Sequence, residues 1–329
     1  MPFSRDLALF LVVSALTAAW VYLDYRSRTD GATWERVAWW LGTLLALPIF
    51  LPIYLVAARP PGRLARCPSC GRPTIAHRAT CRHCDTPIAF EPPPRVWGLG
   101  EVVGIGTIFM FALPLIASAL GLDVEFSLAE VSAFTVGQNA AFIGLAVYVA
   151  RVRYGLPLSE LGLRADRWPV RTAGGLLVGG LSIPVSTKTE DLAVTLIGYF
   201  TGRARAEAMA EQEHLSDVLT TILRGPLSTG ELVLIFVLIC VLVPIGEELF
   251  FRGFVYGTLR RWGIPLAATL SALFFGAVHQ QLVHFLPIFV LGVILALLYE
   301  RTRSLLPVML VHGVNNAVAI LAVLYHWPL

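Results

Sequence analysis

The chain has 329 residues, 56% of them hydrophobic and 14% charged, with a formal net charge of +3 and a mean hydropathy of +0.71. Soluble globular chains carry roughly 25% charged residues, so a water-soluble fold is excluded as the first reading, and so is disorder, because this much apolar surface does not stay solvated. One lysine, Lys188, stands against 24 arginines (25 − 1); with no basic tail or dense basic run, nucleic acid is not an expected partner.

A membrane span needs about 20 mostly apolar residues. Apolar runs read as spans at 7–23, 37–58, 96–120, 131–150, 170–200, 232–254, 265–278, 286–299 and 305–324. The expected fold is therefore all-α and polytopic, with about eight or nine transmembrane helices. The first run is longer than a signal-peptide core, and no A-x-A cleavage site follows it, so it reads as a retained span. The fourth run carries Gln138 and Asn139, and the fifth carries Lys188, Glu190 and Asp191. Those helices are expected to face protein or a wet cavity, because lipid offers such groups no partner. The runs at 265–278 and 286–299 are short, and their helices are expected to extend beyond them. The polar stretch 201–230 is helix-forming and reads as a surface helix or a helix-turn-helix.

Arginine counts set the expected orientation. The stretch 59–95 carries seven arginines and 151–171 carries five, whereas 121–130 carries three acids and no base. The parity places the N-terminus and the 59–95 insert in the cytoplasm of a bacterial inner membrane and the C-terminus outside. The stretch 24–36, with three arginines, is the weak point of that parity.

Residues 59–95 form a polar insert between the apolar runs. Cys67-Pro-Ser-Cys70-Gly and Cys81-Arg-His-Cys84-Asp each place two thiolates on one tight turn. Two such turns complete a tetrahedron for zinc, and a closed four-thiolate site is structural. The glycine after the first knuckle suits the positive φ that such a turn needs. A reducing cytoplasm disfavours disulfides here. The insert reads as a minimal zinc ribbon of one or two hairpins, with His83 a solvated loop residue. Its role reads as recruitment of a cytoplasmic protein. Pro92, Pro93 and Pro94 follow as a stiff spacer. The fifth cysteine, Cys240, lies alone in an apolar run and reads as a packing residue.

Three polar sets interrupt the last apolar runs. The first is Pro244-Ile-Gly-Glu247-Glu248-Leu-Phe-Phe-Arg252. Glu248 and Arg252 are four apart and lie on one helical face, where they can pair. Glu247 points about 100° away and has no partner in its own helix. An unpaired carboxylate in apolar surroundings suits general acid–base work. The second set is Phe275-Gly-Ala-Val-His279 and the third is His312-Gly-Val-Asn-Asn316. His312 and Asn316 share a face, where imidazole and carboxamide can donate to a developing oxyanion. Glu247 and His279 each lie sixteen residues from Gly263, so an antiparallel hairpin turning there sets them roughly level, about 24 Å from the turn. His312 is only nine residues past Arg303. Matching its depth requires a tilt, a kink at Pro244 and Gly246, or a deeper start for its helix. Phe250, Phe251, Phe274 and Phe275 read as packing or lipid-facing residues. Gln280, Gln281 and His284 read as interfacial, and His77, His214 and His326 as loop or terminal residues.

These residues resemble the CAAX protease and bacteriocin-processing family of intramembrane proteases, also called abortive-infection proteins. Its pattern of EExxxR, FxxxH and HxxxN reads here as Glu247-Glu248…Arg252, Phe275…His279 and His312…Asn316, in order, on consecutive apolar segments. The resemblance covers 231–324, with a weaker echo at Leu158-Ser-Glu-Leu-Gly-Leu-Arg164. It divides the chain into a transmembrane hairpin at 1–58, the zinc-ribbon-like insert at 59–95 and a CAAX-protease-like domain at 96–329. It implies that Glu247 and His279 activate water, that His312 and Asn316 stabilise the oxyanion, and that Glu248 and Arg252 orient Glu247. The substrate it implies is a peptide or protein, membrane-embedded or lipidated. Metal-free catalysis is favoured over a zinc ion held by Glu247, His279 and His312. Two other classes compete: a non-enzymatic scaffold, chaperone or immunity protein on the same fold, and a proton-coupled transporter.

Overall fold

The computed structural model describes residues 3–60, 62–76, 78–88, 97–108, 127–216 and 218–327. The chain divides into two units, Met1–Leu122 and Asp123–Leu329. The proline spacer at 92–94, His77 and the whole of 109–126 lie outside the described residues.

The first unit holds helices α1 (Phe3–Arg28), α2 (Thr33–Leu45), α3 (Leu47–Ala58) and α4 (Leu99–Thr107), with strands β1 (Leu64–Arg66) and β2 (Pro73–Ile75). The run at 37–58, expected as one span, is two helices. Ala46 leaves the helical region at φ −141° and ψ 60°. Pro48 follows in the first turn of α3, where it supplies no N–H to continue the α2 ladder. A Cβ on Gly42 would fall 2.2 Å from the Phe50 ring, so only glycine lets the two helices close on each other. At the end of α1, buried Asp24 accepts hydrogen bonds from Arg28 (2.9 Å), Tyr54 (2.6 Å) and Arg59 (2.8 Å). Arg28 also donates to the carbonyls of Pro60 and Gly62. This charged knot ties α1, α3 and the start of the insert together.

The second unit holds α5 (Leu128–Arg153), α6 (Trp168–Thr201), α7 (Arg203–Ser216), α8 (Val218–Leu223), α9 (Thr229–Trp262), α10 (Ile264–Val278), α11 (Phe285–Thr302) and α12 (Leu305–Tyr325). Among the described residues α5, α9, α11 and α12 are long and apolar enough to cross a membrane, and α3 and α10 are shorter apolar helices. The chain is an integral membrane protein of all-α class carrying a small four-cysteine insert. Capping boxes start α5 and α9: Ser127 pairs with Glu130 and Ser228 with Glu231, each serine accepting the backbone N–H of its glutamate. Gly263, at φ +103°, turns α9 into α10. The α10 helix gains only one residue over its apolar run, whereas α11 extends to Thr302.

The start of α12 is buried, which answers the depth problem. Ser304 and Leu305 are fully inaccessible. The Leu305 N–H donates to the Gly162 carbonyl at 2.9 Å. Gly162, at φ +88°, lies against Tyr299 and Leu305, where a side chain would collide. Beside it, the Leu161 carbonyl fills the place of a Cβ on Gly253. The short helical turn Leu158–Leu161 is thus a wedge between α9 and α12. It raises the first turn of α12 into the protein and brings His312 level with Glu248.

Candidate active site

The site begins with a break in the α9 ladder. Residues Leu238–Leu242 and Leu249–Tyr256 wind as π-helix. In the first of these turns the Val243 N–H bonds Leu238 O, five residues back. The next residue, Pro244, has no N–H, so Ile239 O loses its partner. A buried carbonyl left alone costs about 1–3 kcal/mol. Asn316 supplies the missing donor: its Nδ2 lies 2.8 Å from Ile239 O. Cys240 O lies against Gly313, where a Cβ would come within 2.4 Å. The HGVNN stretch of α12 therefore docks on carbonyls exposed by the proline. Asn316, expected beside His312 as an oxyanion donor, commits one of its two amide hydrogens to the α9 backbone.

That docking sets His312 against Glu248. His312 Nδ1 donates to Glu248 Oε1 at 2.8 Å, and Arg252 Nη1 donates to the same oxygen at 2.9 Å. Arg252 also reaches Gly292 O at 3.3 Å. The side chains of Glu248 and Arg252 are 0% and 1% exposed. The expected ion pair is present and completely buried. The guanidinium stacks over the Phe275 ring at 4.4 Å, a favourable cation–π contact.

Glu247 sits on the more open side. Its side chain is 20% exposed, and its Oε2 lies 3.9 Å from His312 Nε2. That oxygen is itself buried and has no hydrogen-bond partner. His279 is exposed at the C-cap of α10. Its Nδ1 donates to Phe275 O at 2.8 Å, which leaves Nε2 for another partner. The Phe275 ring meets His279 edge-on at 5.0 Å and His312 at 5.8 Å. The sequence marked Phe275 as packing only. It is the fully buried plate on which Arg252 and both histidines rest, and its spacing of four from His279 was the available signal.

Asn139 was also missed as a neighbour of the site. It is 2% exposed. Its Nδ2 donates to Thr135 O at 2.9 Å, and its Oδ1 takes the place of a Cβ on Gly246. The expectation that this polar residue faces protein holds. Cys240 packs among the apolar residues around Ile235 and Ile320.

Residues 229–318 match the family model described as Type II CAAX prenyl endopeptidase Rce1-like. This segment is similar to the CAAX protease family. The match spans all three polar sets, Glu247-Glu248-Arg252, Phe275-His279 and His312-Asn316. No curated protein and no solved structure matches the chain. The likeness is confined to this segment, which holds the last four helices α9 to α12.

The four cysteines form a second centre. Cys67 and Cys84 sulfurs lie 3.7 Å apart, as do those of Cys70 and Cys81. All four sulfurs fall within 4.8 Å of one another. A tetrahedron with about 2.3 Å metal–sulfur bonds needs sulfurs about 3.8 Å apart, so the donor set fits a metal ion. The knuckles repeat one pattern: Gly71 N–H donates to Cys67 O and Asp85 N–H to Cys81 O. Gly71 and Asp85 occupy matching positions at φ +68° and +52°. Hydrogen bonds from the hydroxyl and backbone of Thr86 hold the exposed Cys84 thiol down at about 6, which favours the thiolate a metal requires. His83 lies outside the ligand set, its Nε2 3.2 Å from Pro73 O. Among the described residues these cysteines are the one group of three or more such ligand atoms gathered this closely. Glu247 and His312 approach to 3.9 Å, and the three residues Glu247, His279 and His312 are not a group of this kind.

Proposed function

We propose that the chain is an intramembrane endopeptidase that hydrolyses a peptide bond with water activated by Glu247 and His279. The observation that carries this is the partition of the two glutamates. Glu248 is fully buried with Oε1 committed to Arg252 and His312, whereas the Glu247 side chain is 20% exposed and stands 3.9 Å from the other ring nitrogen of His312. Glu247 takes a proton from the attacking water, a role worth typically 10²–10⁴-fold in rate. His279 presents Nε2 to the same water. His312 donates through Nε2–H to the carbonyl oxygen of the scissile bond while Nδ1–H stays on Glu248, so the ring cannot turn away. Glu248 and Arg252 are positioning residues, and Asn316 positions α12. The proton held by Glu247 passes to the departing amine.

The substrate in this reading is a lipidated or membrane-embedded peptide. The four-cysteine insert binds zinc, faces the cytoplasm of a bacterial inner membrane and recruits a soluble protein. The protease domain begins after that insert. The test uses purified full-length protein in lipid nanodiscs and a farnesylated CAAX peptide. Wild type releases the C-terminal tripeptide, and Glu247→Gln reduces the rate by about 10³-fold. Cleavage that survives in Glu247→Gln overturns the assignment. No cleavage by either protein favours the scaffold reading.

A further inference from the structure

Outside the glutamate–histidine set, one cluster of titratable groups borders the site. It lies on the loop that leaves His279. Glu213, from the polar helix α7, accepts the backbone N–H groups of Leu282 (2.8 Å), Val283 (3.0 Å) and His284 (3.2 Å). It also accepts from His284 Nδ1 at 2.9 Å. Glu190, from α6, stands 3.6 Å from the other ring nitrogen. These N–H groups belong to the turn that enters α11, whose N-cap is His284, and a turn with no ladder of its own needs outside acceptors for its donors. Glu213 supplies them from a segment 69 positions upstream of Leu282.

The sequence explains how it reaches that place. Gly202, at φ +89°, turns α6 into α7. Glu190 lies twelve residues before that turn and Glu213 eleven after it. At about 1.5 Å per residue both glutamates return to one level, roughly 17 Å from the turn. Ala206 is fully buried, and a Cβ on Gly198 would meet Arg203 and Ala206 at 3.2–3.7 Å, so α7 folds back along α6.

The far side of the capped loop holds the end of α10. Phe285, the first residue of α11, packs on Gly276, where a Cβ would meet its ring at 3.1 Å. The Gly276 carbonyl in turn accepts the His279 N–H at 3.3 Å. Gln280 crosses the junction in the left-handed region at φ +56°, a strained position for a residue with a side chain. A continuous path of contacts thus runs from the Glu213 carboxylate through 282–284 and Phe285 to His279.

We propose that Glu213 is a positioning residue for the reaction: by clasping the start of α11 it fixes the backbone that presents His279 to substrate. This rests on the protease reading for its effect on rate, but the effect on His279 itself can be measured without cleavage. The experiment takes full-length wild type, Glu213→Ala, Glu213→Gln and, as a control on the same helix, Glu207→Gln. Each is assayed for amide exchange at 282–284, for modification of His279 by diethyl pyrocarbonate, and for kcat and KM on the farnesylated peptide. In Glu213→Ala, exchange at 282–284 rises about tenfold or more. His279 modification changes by a similar factor, and kcat falls about tenfold or more with KM little altered. Glu213→Gln keeps a carbonyl oxygen for the same N–H groups and stays within about threefold of wild type. Glu207→Gln matches wild type. Exchange that rises while His279 reactivity and kcat stay at wild-type values overturns the proposal. A clasp that governs His279 reactivity in a protein that cleaves nothing upholds the positioning and removes the protease reading instead.

Discussion

The four-cysteine centre and the glutamate–histidine centre assemble polar side chains in opposite ways. The cysteines come from one stretch of eighteen residues, 67–84. Two short turns bring every donor within 4.8 Å of the others. Nothing is left over, and a closed set of this kind holds structure. The second centre draws on helices from 247 to 316. Its buried half, Glu248, Arg252 and His312, is joined through Glu248 Oε1, while Glu247 and His279 stand on its more open side. A local set can be complete because its turns specify it. A dispersed set needs rigid support, and it keeps reactive groups only where that support stops short of them.

The sharpest way to break this comparison is to open the closed set. Cys67→Ser with Cys70→Ser removes two of four donors. Structural zinc contributes apparent free energies of about 10–16 kcal/mol in small metal domains, so the double variant is expected to lose its bound metal, read by elemental analysis. The insert unfolds, read as proteolysis within 64–88. Cleavage by the variant stays at the wild-type rate, and a collapse of cleavage would show that the two centres are not independent.

The next test strips the support from the dispersed set. Glu248→Gln leaves Arg252 buried without its counter-charge. Breaking a buried pair in this way costs about 3–5 kcal/mol, measured as loss of thermal stability in detergent. Glu247→Gln removes no ion pair and is expected to unfold within a few degrees of wild type. Equal losses in the two variants would erase the distinction between supporting and reactive glutamates.

A smaller effect follows from the proline docking. Asn316→Ala leaves Ile239 O without a donor and costs about 1–3 kcal/mol. Pro244→Ala returns an N–H to the α9 backbone, so the double variant is expected to cost less than the sum of the singles. Strict additivity would show that the amide and the proline are not coupled.

The smallest effect is a pH dependence of the clasp. Burial opposes charge on His284, but Glu190 on α6 and Glu213 on α7 outweigh it and raise the imidazole above its ordinary range. Its contribution is complete below the unfolded value and is lost as pH rises through the raised one. Burial would raise the Glu213 carboxyl, but the three backbone N–H groups and His284 outweigh it and hold it below the usual carboxylate range. Its contribution is present above the unfolded carboxylate value and is lost only as pH falls through the lowered one. Amide exchange at 282–284 is expected to be slowest between these two limits, with Glu213→Gln losing the lower edge of that window because it has no carboxyl to protonate.

Much of this was legible in the sequence because spacing carries it. The four-residue intervals Glu248–Arg252 and His312–Asn316 predict shared faces, and the paired CxxC turns predict a closed ligand set. The runs at 131–150 and 305–324 lie within one to three residues of the ends of α5 and α12. The split of 37–58 at Ala46 was not read, although Pro48 marks it. The fate of Asn316 was hidden for a different reason. Periodicity places it on the face of His312 but does not reveal which backbone carbonyl on another helix lacks a donor. That follows only from the π register next to Pro244. Asn139 and Glu213 were missed because their partners lie on distant elements, and one helix's pattern cannot name a neighbour.

The wedge at Leu158–Leu161 bears on how the matched segment can be inherited or excised. The matched stretch starts at 229, yet its final helix is seated by Gly162, more than sixty positions earlier. A fragment cut to the matched boundaries would leave the first turn of that helix without its hydrogen-bond acceptor and Gly253 facing a gap. Transplants and minimal versions of this catalytic unit must therefore carry the earlier loop along with them.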